Sequence, residues 1–275
     1  MTRQWLDMTQ HDGAPTLRKV GSQACTALQF SEPDYGRLCA EIKQPRAFHR
    51  KQWEYVYILR VLESYNLLRS GARGIGFGCG KEPLAAVMAK YACNVVATDI
   101  PSTPQGDAYW GSSCAEELFY PGICDKELFL RRVKFKTVNM TAIPDDLGTY
   151  DFLWSCCAFE HLGSLRAGLQ FVLDADKFLR PGGIAIHTTE YNVSSNDETL
   201  ETPGLCLYRR RDLLSLAEQI EWQGSRMLPP NFAVGDLPQD RYVDLPPYEQ
   251  KIHLKLMVDK FVTTSFGFVI VKNSW

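Results

Sequence analysis

The sequence has no Cys-x-x-Cys pair, no unbroken apolar run of membrane-spanning length and no surplus of basic residues, and each absence removes a class of function. Nine cysteines at irregular spacing in 275 residues exclude a zinc-ribbon or disulfide-stapled scaffold, and the adjacent Cys156 and Cys157 suit neither bond. They read as reduced thiols, small buried residues of a cytoplasmic protein. Without about 20 consecutive apolar residues no membrane insertion is expected, and Met1-Thr2-Arg3-Gln4 does not open a signal peptide. Thirty Lys and Arg against 32 Asp and Glu, a net charge of −2, leave no footprint for nucleic acid. Repeats and low-complexity stretches are also missing. The length suits one α/β domain with additions.

What is present is concentrated in Arg73-Gly74-Ile75-Gly76-Phe77-Gly78-Cys79-Gly80-Lys81-Glu82-Pro83. An apolar strand runs into alternating glycines, and a helix follows with Leu84, Val87, Met88 and Tyr91 on one stripe. Val95-Val96-Ala97 is the next strand, with Asp99 at its end, roughly 20 residues beyond the glycines, where an acid meets a ribose. The dinucleotide pattern G-x-G-x-x-G fails because no glycine stands one place later. The phosphate loop fails because Glu82 follows Lys81 where a hydroxyl is required. A nucleoside half-site without phosphate chemistry is left.

Elsewhere, residues up to 46 read as an N-terminal cap with a short helix over 35–42. Phe48 to Glu54 opens a longer helix with Ile58, Val61, Leu62 and Tyr65 on one stripe. After Asp99 come an insertion holding Trp110, a helix around 115–120, and strands at 133–138 and 150–155. Ser164 caps a helix that stops at Arg180-Pro181-Gly182-Gly183, ahead of a strand over 184–187. Asp212 reads as the N-cap of another helix ended by Gly224. Two strands around Asp259-Lys260 close the chain. Asp236, Asp240 and Asp244 fall on a proline-rich loop and read as solvated acids or as contacts to acceptor hydroxyls; no metal is expected from them.

The G-x-G-x-G turn with its strand-end acid resembles motif I of class I S-adenosylmethionine-dependent methyltransferases, and Asp151, Glu160-His161 and Pro181-Gly182-Gly183 resemble the later motifs in order and spacing. Phe48-His49-Arg50-Lys51-Gln52-Trp53-Glu54, Phe159 to Leu165 and His187-Thr188-Thr189-Glu190-Tyr191-Asn192 resemble a bacterial subgroup associated with surface-polysaccharide or glycan biosynthesis. The resemblance covers roughly 48–272. It implies an α/β Rossmann-like sheet of seven strands, six parallel and one antiparallel, with helices on both faces: a methyltransferase domain over 47–275 behind the cap of 1–46.

The resemblance also implies S-adenosylmethionine held by Gly76, Gly78 and Gly80, with Asp99 on the ribose and Ile100 beside it, and with Asn139, Met140 and Trp110 near the adenine. One departure is clear: the family's acid two places before the first glycine is Gly74 here. Glu82 or carbonyls near Ser155 must then hold the methionine ammonium, and Arg50-Lys51 the carboxylate. The acceptor implied is a small molecule or glycan, methylated at oxygen with a histidine taking its proton, since imidazole titrates near neutrality. His161 is the first choice of base, followed by His187 and Glu190 at strand ends. Amine methylation needs no base and stays open, as does a non-catalytic binding module; a nicotinamide oxidoreductase is disfavoured by the glycine spacing. Oligomeric state is not legible.

Overall fold

The computed structural model describes residues 13–100 and 112–274; Trp110 lies outside them. Eleven strands form one sheet. They are β1 (Ser22–Ala24), β2 (Arg73–Phe77), β3 (Asn94–Asp99), β4 (Val133–Thr137), β5 (Tyr150–Cys156), β6 (Leu179–Asn192), β7 (Ser225–Met227), β8 (Pro230–Asn231), β9 (Val243–Asp244), β10 (Lys255–Val258) and β11 (Phe261–Lys272). The helices are α1 (Pro33–Glu41), α2 (Arg50–Ser64), α3 (Leu84–Lys90), α4 (Lys126–Arg132), α5 (Leu165–Ala175), α6 (Arg210–Trp222) and α7 (Pro238–Arg241).

The body of the sheet runs β4-β3-β2-β5-β6-β11. The first five strands are parallel, and β11 is antiparallel both to β6 and to β7 on its far edge. The α/β class and the reversed β11 are as the resemblance implied, but the strand count is not: eleven strands among the described residues rather than seven, with β7 unread in the sequence. The short β1, β8, β9 and β10 extend that far edge, and of these only β10 was legible in the sequence. β1 pairs with β11 at Gln23 and Ala24, so the segment read as a cap also contributes to the sheet.

Strand parity divides the interior. Phe152, Trp154, Ile184 and Ile186 face one core with α2 and α3, while Leu153, Ala185, Phe266 and Phe268 face the other with α5 and α6. α2 is buried on nearly all sides from Gln52 to Leu62, with α1 packed over it. That explains why its apolar pattern is broad rather than a single stripe.

Three local expectations need correction. The N-cap of α6 is Arg209, not Asp212; Asp212 sits at the third helical position and accepts both the Arg209 backbone N–H (2.9 Å) and its guanidinium. Over 115–120 there is only a 3₁₀ turn, Ala115–Leu118, and the true helix is α4, capped by the Asp125 carboxylate. Pro181-Gly182-Gly183 does not precede a strand but lies within β6, where pairing with β5 shifts register.

The glycine at 74 has a steric cause. A Cβ there would fall 2.2 Å from the Phe152 ring, and one at Gly76 would fall 2.3 Å from the Trp154 ring. Two aromatic side chains of β5 thus fill the space over β2 that a motif acid would need. Gly74→Asp is therefore expected to lower stability by about 2–4 kcal/mol, as overpacking with an unpaired buried acid. Thermal unfolding checks this: a melting temperature well below that of the parent is expected, with partial recovery in the Gly74→Asp, Phe152→Ala double variant.

Candidate active site

At the end of β2 the chain must reverse over the sheet edge, and Gly78 and Gly80 do so at φ 62° and 50°, values that disfavour a side chain. The turn is pinned from outside: Cys79 N–H donates to the Thr98 carbonyl (3.0 Å), and Thr98 Oγ1 donates to that of Gly76 (2.8 Å). Its inner surface is bare backbone. A Cβ on Gly78 would meet Ala158 Cβ at 2.7 Å and Met140 Sδ at 3.1 Å, so the turn packs closely against the residues that follow β4 and β5, with no room for a side chain.

Asp99 stands at the end of β3 with 8 % of its surface exposed. Its carboxylate accepts three backbone N–H groups, from Gly80 (2.9 Å), Ile100 (2.8 Å) and Ser112 (3.2 Å). Burial raises its pKa, and the three donors oppose that rise. The acid thus ties the glycine turn to the chain returning at Ser112, whose hydroxyl donates to the Gly80 carbonyl (2.7 Å). A carboxylate has about four acceptor positions, so one remains for a ribose hydroxyl. Ile100 is half exposed and Met140 is buried, both beside this acid-bearing edge. Asn139 is exposed, and its carbonyl oxygen is used locally by the Thr141 N–H and hydroxyl.

Glu82, just past the turn, folds back into the first core and accepts the Trp154 indole N–H at 2.5 Å. Burial pushes its pKa up to about 8, against the pull of that indole and of Lys51. The position of the motif acid is filled by aromatic rings, and a carboxyl reaches the same region from the other end of the loop.

α2 brings the opposing charges. His49 caps it through Nδ1, which accepts the Lys51 N–H (3.1 Å), and residues 50, 51 and 54 then face the strand ends. Glu54 is fully buried. It pairs with Lys51 (2.8 Å) and Arg50 (3.5 Å) and accepts from Ser265, from Thr188 (3.4 Å), and from the Cys156 and Cys157 thiols (3.3 and 3.1 Å). Burial alone would raise its pKa, but Lys51 and Arg50 outweigh it and bring the value to about 2. Arg50 reaches on to Glu190, which Thr263 also holds at 2.9 Å. Lys51 is a quarter exposed and lies beside a surface recess with His49, Gln52 and Tyr55.

The three residues put forward for catalysis separate. Thr188 and Glu190 share the parity of Ile184 and Ile186 and meet α2. His187 has the opposite parity and is buried among Phe159, Phe171 and Phe268, with Nδ1 2.7 Å from Ser155 Oγ. Burial lowers its pKa to about 3. Ser155 and His187 thus occupy the second core, away from the charged cluster. His161 is on the surface, where its Nδ1 contacts the Gly204 carbonyl at 2.6 Å. A carbonyl only accepts, so Nδ1 donates to it, which in the neutral tautomer leaves the acceptor position at Nε2. Its neighbour Glu160 is fully buried, accepts from Thr189 at 3.3 Å through Oε2, and has no hydrogen-bond partner at Oε1.

Sequence reading named Glu54, Cys157 and Glu160 but gave none of them a role in the site. For Glu54 the available signal was charge at i, i+1 and i+4 (Arg50, Lys51, Glu54) of a helix that is otherwise apolar all round. The acidic loop proved structural: Asp240 accepts the Ala27 and Leu237 N–H groups, and Asp244 holds His253 (2.6 Å) and the Glu249 and Gln250 N–H groups. Both are 1 % exposed, which corrects the expectation of solvated acids. Among the described residues, no helix is long and apolar enough to cross a membrane.

No curated protein matches the chain. Among solved structures, the 4+2 cyclase SpnF is 17 % identical over 94 % of this chain and 100 % of its own, with a TM-score of 0.51. A candidate sarcosine dimethylglycine methyltransferase from Galdieria sulphuraria is 14 % identical over 82 % of this chain and 85 % of its own, with a TM-score of 0.50. At such identities these likenesses show the fold. The activity class comes from the sequence profile described as "Methyltransferase domain", which matches residues 49–226. That span runs from the cap of α2 through the glycine turn, Asp99 and Glu190 to β7, and the chain accordingly belongs to the methyltransferase domain family, as an S-adenosylmethionine-dependent enzyme.

Proposed function

We propose that the chain moves a methyl group from S-adenosylmethionine to an oxygen of a small-molecule or glycan-type acceptor. The observation that carries this reading is the pairing of a glycine turn tied to Asp99 with a buried polar cluster where β5, β6 and β11 meet Glu54 of α2. An activated methyl would lie between the two.

Bound S-adenosylmethionine supplies a sulfonium whose methyl is ready for displacement. Asp99 accepts a ribose hydroxyl at its remaining position, while Ile100 and Met140 offer apolar contact to the adenine and Asn139 a polar edge. Glu82 replaces the missing motif acid and receives the methionine ammonium, and Lys51 meets the carboxylate. The chain's task is then alignment and exclusion of water, which can contribute about 7–11 kcal/mol when two reactants are held in line. Glu190, fixed by Arg50 and Thr263, orients the acceptor. His161, with its proton placed on Nδ1, takes the acceptor proton at Nε2. His187 has no part in this reading because aromatic rings enclose it. The nine free thiols accord with a reducing compartment.

A screen of labelled methyl transfer to nucleotide sugars, glycans, small alcohols and amines tests the reading; transfer to amines alone would contradict it. If His161 is the base, His161→Ala lowers the single-turnover rate by about 10²–10⁴-fold with donor affinity unchanged, whereas an unaltered rate would remove the histidine from the chemistry.

Glu82 gives a prediction in pH. Its folded pKa of about 8 lies above the reference value of 4.5, so the folded state holds the extra proton, and ligand-free stability from this group falls as pH rises from 4.5 to 8. An ammonium placed beside it favours the carboxylate. Donor affinity is therefore expected to rise on the order of tenfold between about pH 6 and 7.5, below the range where an α-amino group itself titrates. Calorimetry checks this: Glu82→Gln should flatten the dependence, and a parent affinity independent of pH would exclude the pairing.

A further inference from the structure

The cluster around Glu54 contains a charge pattern that acceptor hydroxyls alone do not require. Arg50 and Lys51 are matched by Glu190 and Glu54, two cations against two carboxylates. The Cys157 thiol, which donates to Glu54, and the Glu160 carboxyl face the same space, and among the described residues neither has an ion-pair partner within 4 Å. Ligand atoms of Cys157, Glu160 and Glu190 all lie within 4.8 Å of one another. Glu160 is 0 % exposed, and its Oε1 has no partner. A buried carboxyl oxygen in that state is costly unless something else satisfies it. Cys157 is held at φ 48° as the chain leaves β5, which turns its sulfur toward α2 rather than along the strand.

We infer that Cys157, Glu160 and Glu190 form a binding site for a divalent transition-metal ion of the zinc type. One sulfur and two carboxylate oxygens suit a borderline-soft ion better than magnesium or calcium, which take oxygen ligands alone. Three protein ligands are the number that leaves a tetrahedral centre one open position. The ion would share Glu190 with Arg50, and binding would release the Cys157 thiol proton to solvent as the sulfur–metal bond forms, leaving Glu54 with Lys51, Ser265 and Thr188 as partners. An acceptor oxygen at the open position would be polarised, and its proton made easier to lose. Thr189, 3.3 Å from Glu160 Oε2, and Thr263, on Glu190, fix the two carboxylates from behind, as supporting hydrogen bonds do in metal sites. This inference rests on the acceptor reading of the same cluster.

Cobalt(II) is the probe, because a thiolate ligand announces itself by a sulfur-to-metal charge-transfer band in the near ultraviolet. The full chain, dialysed against chelator, is titrated with cobalt chloride in the absence of donor. The expected result is that band with visible absorption of tetrahedral type, bleached by zinc. Cys157→Ser should abolish the charge-transfer band, and Glu160→Gln should weaken cobalt binding at least tenfold with the band retained. Cys114→Ser, at a partly exposed thiol of the insertion, should change nothing. A parent protein without the band, or a band that survives in Cys157→Ser, overturns the site. Should Cys157→Ser fail to fold, Glu160→Gln decides: unaltered affinity overturns the proposal. Calorimetry with S-adenosylmethionine runs in parallel. Donor binding without cobalt binding defeats this site alone, and cobalt binding without donor binding defeats the function proposed above.

Discussion

The burial of the Glu54 carboxylate is the constraint on which the rest depends. An ionised carboxylate inside a protein is tolerated only when cations and hydrogen-bond donors surround it. Here they come from separate parts of the chain: Arg50 and Lys51 from its own helix, Thr188 from β6, Ser265 from β11 and the thiols at the end of β5. Ser265 is 211 positions away in sequence. Satisfying one carboxylate therefore fixes α2 against three strand ends. The same contacts aim Arg50 at Glu190 and leave Lys51 at the mouth of a recess. The polar network around Glu54 and the candidate site at the strand ends are one structure, so changes in α2 alter the placement of Arg50, Lys51 and Glu190 together.

The fold adapts a common sheet by exchanging the place of an acid. β2 carries Gly74 and Gly76 because Phe152 and Trp154 lie across them. Trp154 then offers its indole N–H to Glu82, which returns from beyond the turn. The aromatic rings and Glu82 form one arrangement: the rings exclude a side chain at 74, and the Trp154 indole anchors the Glu82 carboxyl. Burial of a carboxyl in this way raises its pKa well above that of an acid on an exposed strand end.

Much of this was legible in the sequence. Period-two and period-3.6 patterns located the main strands and most helices, and the glycine turn with Asp99 stood out because such backbone needs glycine whatever surrounds it. Pairing geometry was less visible. β1, β8 and β9 are two or three residues long and carry no periodicity, and Asp212 looked like a cap because a third-position acid shares the composition of one. The site was legible in part for a physical reason. Alternation along β6 sends His187 and Glu190 to opposite faces, and which face meets the site depends on register with β5 and on the placement of α2. His187 thus lies enclosed by aromatics although its residue type suggested chemistry. Cys157, in a chain with nine cysteines, gained meaning only when the fold brought it beside Glu160 and Glu190.

In the reading proposed above, S-adenosylmethionine would lie across the glycine turn, held by Asp99 at its ribose and by Glu82 and Lys51 at its amino-acid end. A crystal structure with S-adenosylhomocysteine tests this most directly. The account expects ribose density at Asp99, the homocysteine ammonium within hydrogen-bond distance of Glu82, and the sulfur on the side of the turn that faces the Glu54 cluster. A nucleoside bound elsewhere, or an amino-acid end directed away from α2, would contradict it.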